Sequence, residues 1–334
     1  MNNNPSLIIT SIAAPNSVLE NYAKLCAQKN MNFILIGDVP SPVDFHIEGC
    51  RFYGIGDQKK LPFSIIERLP ERHYSRKNIG YLLAAKSKWI VETDDDNLPL
   101  DSFWDDRVKN IRARVPAEKG WTNVYRYFSG ANIWPRGFPL DLIQQPLQSL
   151  ADVHEFNCPI QQGLANENPD VDAIYRMVSE LPLNFGEHEP VALPAGNWCP
   201  FNSQNTTWFP EAYLLLYLPS YCSFRMTDIW RSFVAQRIAW TCNWPVLFHK
   251  ATVWQERNVH NLMKDFADEI PGYLHNSAIV RALEALTLDN GAAHIGDNLI
   301  RCYETLIDLG VVGAEELPLV KAWVTDMQLA MNEA

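Results

Sequence analysis

Across residues 7–97 the apolar positions change rhythm several times. Residues 7–12 (LIITSI) form a short, nearly unbroken apolar run closed by Ala13-Ala14-Pro15, which predicts a strand. Over 16–29 the spacing turns helical at Val18, Leu19, Tyr22, Leu25 and Cys26, and 32–36 (NFILI) reads as a second strand closed by Gly37-Asp38. Together these make one βαβ unit. Such units build parallel sheets whose ligands sit at the carboxyl ends of the strands, so residues 13–16 and 38–42 flank a predicted site. No glycine-rich phosphate fingerprint follows the first strand, which argues against a dinucleotide site. Residues 76–85 (RKNIGYLLAA) are helical in pattern, and 88–92 (KWIVE) form a strand running straight into Thr93-Asp94-Asp95-Asp96-Asn97. The stretches 134–139, 159–172 and 193–205 read as long site-building loops. A helix is expected over 228–240, a last strand over 244–248, and mostly amphipathic helix from residue 260 on, broken near 289–291 and at Gly310.

Composition narrows the class. With 47% hydrophobic and 20% charged residues, 22 Pro, 16 Gly and 11 Trp in 334 residues, the chain is globular and aromatic-rich, and disordered, collagen-like and coiled-coil classes are excluded. The excess of 39 Asp+Glu over 28 Lys+Arg argues against a nucleic-acid partner held on a general basic surface. No apolar run is long enough for a membrane span, and the start (MNNNPS) has no basic region leading a signal peptide, so a cytoplasmic location is expected. Seven scattered cysteines without a Cys-x-x-Cys pair predict free thiols rather than a disulfide framework or zinc knuckle.

The chemistry centres on the acid run. Like charges at this spacing repel, and a divalent cation offsets the repulsion. On an extended backbone Asp94 and Asp96 project to one side, a geometry that suits Mg²⁺ or Mn²⁺ with positions left for phosphate oxygens. A strand ending in Asp-x-Asp resembles haloacid-dehalogenase phosphatases, but Leu98 stands where those have Thr or Val. It also resembles GT-A glycosyltransferases, which place Asp-x-Asp after a nucleotide-binding βαβ region. A closer match lies in Arg76-Lys-Asn-Ile-Gly-Tyr81 and Ile90-Val-Glu-Thr-Asp-Asp-Asp-Asn97, followed by Ile133-Trp-Pro-Arg-Gly-Phe-Pro-Leu140, Ile160-Gln-Gln-Gly-Leu164, Asp170-Val-Asp-Ala-Ile-Tyr-Arg176, Pro200-Phe-Asn-Ser-Gln-Asn-Thr206, Phe224-Arg-Met-Thr-Asp-Ile-Trp-Arg231, Ala235-Gln-Arg237 and Arg257-Asn-Val-His260. In that order these segments resemble the STELLO-type glycosyltransferases. The resemblance implies a GT-A-like α/β fold with a mixed, mostly parallel central sheet, a catalytic domain over 1–260 and a helical extension over 261–334. It implies a nucleotide-sugar donor, a UDP-sugar first, a glycan or glycolipid acceptor, and Mn²⁺ or Mg²⁺. The plant members carry a membrane anchor and associate with cellulose synthesis; no such anchor is read here, so neither location nor partner is transferred.

Roles follow for individual residues. Asp38, at a strand end, is expected to accept hydrogen bonds from the base, a turn role being the alternative. Arg76 and Lys77, with Asn78 beside them, are placed to meet the diphosphate or to position the acids, Arg by its bidentate fork. Asp94 and Asp96 with His260 are the expected metal ligands, His249 the alternative to His260, and Asp95 faces the donor. Inverting transfer needs a carboxylate to take the acceptor's proton, and Asp228 is the first choice, with Asp172 and Asp170 as rivals; helix capping is the structural alternative for Asp228. Arg136, on a stiff Pro-flanked loop, is expected to meet a sugar hydroxyl or phosphate, Asn202, Gln204 and Asn205 offer donors and acceptors for sugar hydroxyls, and Arg225 and Arg231, in the matching segments, are expected to bind the nucleotide sugar with them. A sugar-nucleotide mutase and a non-catalytic scaffold of a polysaccharide synthase are the competing functions.

Overall fold

A computed structural model describes residues 3–256 and 261–332. The chain opens with β1 (Ser6–Thr10), α1 (Ser17–Gln28) and β2 (Asn32–Ile36), and the two strands pair in parallel from Ser6↔Asn32 to Thr10↔Ile36. Asn16 caps α1 by accepting from the Leu19 N–H at 3.0 Å, which is why the helix starts where it does. Its buried Leu19, Tyr22, Ala23 and Cys26 recur at helical spacing and pack on Leu7 and Ile9, while Ile8 faces the opposite layer.

Strand β3 (Cys50–Tyr53) adds to β2, and α2 (Lys77–Leu83) covers the second face. Gly80 lets α2 come close: a Cβ there would lie 2.5 Å from Ile8 and 3.1 Å from Ile36. The start of α2 is thereby held near the strand ends. Next come β4 (Ile90–Thr93), β5 (Asn97–Pro99), β6 (Ile160–Asn166), α3 (Ala173–Val178), β7 (Val191–Leu193), β8 (Asn205–Trp208), α4 (Thr227–Thr241) and β9 (Val246–Gln255). The nine-stranded sheet runs β7-β9-β6-β8-β4-β1-β2-β3, with β5 paired to the far end of β9. β1, β2, β3, β4, β6 and β9 point one way; β8, antiparallel to β4 and β6, divides them, and β5 and β7 run against β9. The mixed, mostly parallel sheet is the one expected of a GT-A-like fold.

Two expected loops contain strands. β6 lies inside the sheet where residues 159–172 read as loop, and β8 begins at the end of 193–205. Both are polar for buried strands. Gln161 donates to the carbonyls of Val108 (2.8 Å) and Cys158 (3.0 Å), and the one proton of the Thr206 hydroxyl lies between the Asn202 carbonyl (2.6 Å) and Gln162 Oε1 (2.9 Å). Hydrogen bonds offset the burial of groups that hide the strand pattern. The last strand is also longer than 244–248, because Val253–Gln255 continue past two irregularities to pair with Pro99–Asn97.

Helices α5 (Leu262–Ala285), α6 (Ile295–Asp308) and α7 (Glu316–Asn332) follow, with breaks at the two expected places. Ile279, Leu283, Leu299, Tyr303, Leu319 and Trp323 belong to the same apolar core as Ile8, Ile90 and Phe248. Among the described residues no helix is long and apolar enough to cross a membrane. All seven cysteines are free.

Candidate active site

Because β1, β2 and β4 are parallel, Ser11 and Ile12, Gly37 and Asp38, and Asp94–Asp96 emerge on one edge of the sheet. β8 runs the other way, so Ser203 and Gln204, which precede it, arrive at that same edge. Two adjoining hollows result. The first, about 430 Å³, is lined by Ser11, Ile36, Gly37, Asp38, Pro40, Arg72, His73 and Arg76. The second, about 490 Å³, is lined by Asp94, Asp96, Arg136, Asp170, Arg176, Ser203, Gln204, Arg225, Asp228 and Gln255. Thr10, Ile12, Tyr74, Asp95 and Phe224 line both. At the boundary the Phe224 ring meets Tyr74 edge-on at 5.0 Å and His73 at 5.3 Å, and it remains 48% exposed.

Each acid at the tip of β4 has a separate neighbour. Ser11 donates to Asp95, Gln255 Nε2 lies 3.0 and 3.1 Å from the two oxygens of Asp96, and Lys77 Nζ is 3.3 Å from Asp94. The Lys77 ammonium is fully buried and also donates to the carbonyls of Thr93 (2.8 Å) and Ser203 (3.3 Å), so its three protons have three acceptors. It therefore holds the acid tip against the loop before β8. Burial, with Asp96, Asp95 and Asp228 adding to it and Lys77 opposing it, pushes the Asp94 carboxyl up to about 7.

The three acids lie in the turn between β4 and β5, where the Asn97 N–H reaches the Asp94 carbonyl at 3.3 Å, and not on the extended backbone expected. Among the described residues no group of three or more His, Cys, Asp and Glu side chains forms a metal cage. Mg²⁺ and its relatives bind through one or two carboxylates and substrate phosphates, and Asp94–Asp96 open onto the larger hollow in that manner. His260 lies outside the described residues. His249 sits on β9 beside Gly163 and is not among the residues lining either hollow.

In the smaller hollow, the Asp38 carboxylate accepts from the N–H groups of Val39 (2.7 Å) and His73 (2.9 Å), which fixes the turn after β2. Arg76 is oriented by Gln58 (2.8 Å) and the carbonyls of Leu69 and Pro70. Asn78 does not line a hollow; it clamps the Leu218 backbone with two 2.9 Å bonds.

The far wall of the larger hollow is an ionic sandwich. Arg136 donates to Asp170 through Nε and Nη2, both at 2.8 Å, to Asp228 through Nη1 (3.0 Å) and Nη2 (2.9 Å), and to the Arg225 carbonyl. Burial alone would raise Asp228, but Arg136, with Arg231 and the Ser203 N–H behind it, holds the carboxyl at about 2. Tyr74 Oη accepts from the Asp228 N–H at 3.0 Å. Asp172 stands outside the lining: it caps α3 through the Tyr175 N–H (2.7 Å), accepts from Trp134 Nε1 (2.7 Å), and is pushed up to about 6 by burial. Arg225 lines the hollow and pairs with Glu269. Arg231 is buried, pairs with Glu92 at 2.8 Å and lies 5.1 Å over the Trp208 ring. Gln204 reaches the hollow, whereas Asn202 and Asn205 bond inside the protein to Gln162, Thr252 and the Leu164 carbonyl. Ser11, Tyr74, Phe224 and Gln255 line the site without having been singled out. Their signal was position, at a strand end or within or beside a matching segment.

Residues 225–332 match the family model described as STELLO glycosyltransferases, a span that includes Arg225, Asp228 and Arg231. The chain is similar over 96% of its length to two proteins of Arabidopsis thaliana, "Probable glycosyltransferase STELLO2" at 27% identity and "Probable glycosyltransferase STELLO1" at 24%. It spans 44% of the length of each. The likeness to STELLO glycosyltransferases expected from the motifs is borne out.

Proposed function

We propose that this STELLO-like chain is a metal-dependent glycosyltransferase that takes a nucleotide sugar, a UDP-sugar first, and moves the sugar to a hydroxyl of a glycan or glycolipid acceptor in polysaccharide or glycoconjugate synthesis. The observation that carries the reading is the acid tip of β4, set between two adjoining hollows of about 430 and 490 Å³. The smaller suits a nucleoside and the larger a sugar with its acceptor. A bound Mn²⁺ or Mg²⁺, held by Asp94 and Asp96 with His260 as the further candidate, would neutralise charge on the departing diphosphate. Lys77 keeps Asp94 in place, and Arg76, already oriented by Gln58, is the candidate cation of the nucleotide side.

Asp228 is the proposed base for an inverting transfer. Held at about 2, it is ionised at neutral pH and therefore takes a proton rather than giving one. It is a weak base at rest, and it receives the acceptor proton as the sugar carbon gains positive charge and the hydroxyl acidifies. Asp170 shares the Arg136 guanidinium with Asp228. The test is a thermal-shift panel of UDP-, GDP-, CMP- and TDP-sugars with and without Mn²⁺, followed by turnover of the best binder. Asp228→Asn is expected to bind that donor as the wild type does and to lose about 10²-fold or more in kcat. Near-normal turnover removes Asp228 as the base, and a flat panel removes the donor reading and favours a scaffold.

A further inference from the structure

Helix α5 presents an unusual inward face. Glu269, Gly272 and Asn276 occupy the first half of its buried stripe, and Ile279, Val280 and Leu283 the second. Burying polar side chains against a protein costs stability unless each finds a partner, and apolar residues of similar volume would stabilise at least as well. Among the partners here, Arg225 lines the larger hollow, and Gly137 and Trp230 lie one and two residues from its lining residues Arg136 and Asp228. Glu269, fully buried, accepts from Arg225 Nε (3.0 Å) and Nη2 (2.8 Å), from the Ala173 N–H (2.8 Å) and from Tyr273 (2.6 Å). Asn276 donates to the carbonyl of Gly137, the residue after Arg136, and accepts from Trp230 Nε1, two residues past Asp228, both at 2.8 Å. At Gly272 a Cβ would fall 2.2 Å from the sulfur of Met226, so the helix is pressed against the turn that carries Arg225.

We infer that Glu269 and Asn276 are positioning residues for the candidate site: acting through Arg225 and the Arg136 loop, they fix the Arg136 guanidinium against Asp170 and Asp228. Arg136 is bonded to the Arg225 carbonyl and is followed by Gly137, so it is gripped from both sides by groups that α5 holds. The bearing of these contacts on turnover rests on the proposed glycosyltransferase activity.

The experiment uses the full chain with Glu269→Gln, Asn276→Leu and, as a control in the apolar half of the same stripe, Val280→Ala; Asn276→Ser replaces Asn276→Leu where the latter does not fold. Amide hydrogen exchange is expected to quicken about tenfold at residues 136–138 and 225–229 in the Glu269 and Asn276 variants, and to stay near wild type there in Val280→Ala at matched loss of Tm. With a donor in hand, kcat falls about tenfold in the first two while the donor KM stays within about threefold, and kcat is kept in the control. Exchange that rises everywhere in proportion to lost Tm, or local loosening with unchanged kcat, overturns the inference. Variants that loosen locally as described, in a protein whose wild type turns over no nucleotide sugar, defeat the glycosyltransferase reading and leave the positioning of Arg136 standing.

Discussion

Replacing Arg136 by Ala tests the ionic wall most severely. The guanidinium makes five hydrogen bonds, two to each of Asp170 and Asp228 and one to the Arg225 carbonyl, so all five of its donors are used. The side chains of Asp170 and Asp228 are 11% and 6% exposed. Removing the cation between buried Asp228 and half-buried Asp170 is expected to cost about 3–5 kcal/mol. The pH dependence gives an independent check. Asp228 is held at about 2 against an ordinary 3.8, so the unfolded chain binds its proton first and the pairing stabilises the fold above the ordinary value. That contribution is about 2 kcal/mol, present in full above about pH 5 and lost as the pH falls toward 2. In Arg136→Ala only Arg231 and the Ser203 N–H are left to oppose burial, so the carboxyl moves up toward or past its ordinary value and the stabilisation gained between pH 3 and pH 5 shrinks. Urea unfolding of both proteins at pH 3 and pH 5 measures it. A loss below about 1 kcal/mol, or an unchanged difference between the two pH values, would refute the reasoning.

Other expectations concern neighbouring groups. Lys77→Met leaves two buried carbonyls and Asp94 without their donor, and is expected to cost about 1–3 kcal/mol in urea unfolding; a change under about 0.5 kcal/mol contradicts the role assigned to the ammonium. Asp172→Asn is expected to keep donor binding within about twofold, since the residue lies outside the hollow lining. Because Asp172 is raised to about 6, its ionisation opposes folding as pH climbs from 4 to 6. The Asn variant should therefore gain on the wild type by about 2–3 kcal/mol across that window, and a parallel pair of stability curves would count against it.

The sequence was most legible where one physical term dominates. The βαβ start, the helix after Asn16 and the acid tip of β4 follow from apolar periodicity, a cap and like-charge repulsion. It was least legible in β6 and β8, where Gln161, Gln162 and Thr206 are buried and satisfied by distant partners that no local pattern shows. Among site residues, Asp94–Asp96, Arg136, Gln204, Arg225 and Asp228 share the larger hollow, although they lie far apart in the chain. Arg231 and Asn78 share the matching segments but bond inward, to Glu92 and to the Leu218 backbone. A residue's presence in a motif speaks to its partner, and only the fold distinguishes a ligand from a neighbouring backbone carbonyl. The same limit applies to α5, whose polar stripe has meaning only once Gly137 and Arg225 are seen across from it.

In the proposed function the β4 acids carry a cation that in turn binds a nucleoside diphosphate. Its most direct test is the thermal shift given by UDP with Mn²⁺ on the wild type, Asp94→Ala and Asp96→Ala. A Mn²⁺-dependent rise in Tm is expected for the wild type and for neither variant. An equal rise in all three proteins would contradict it.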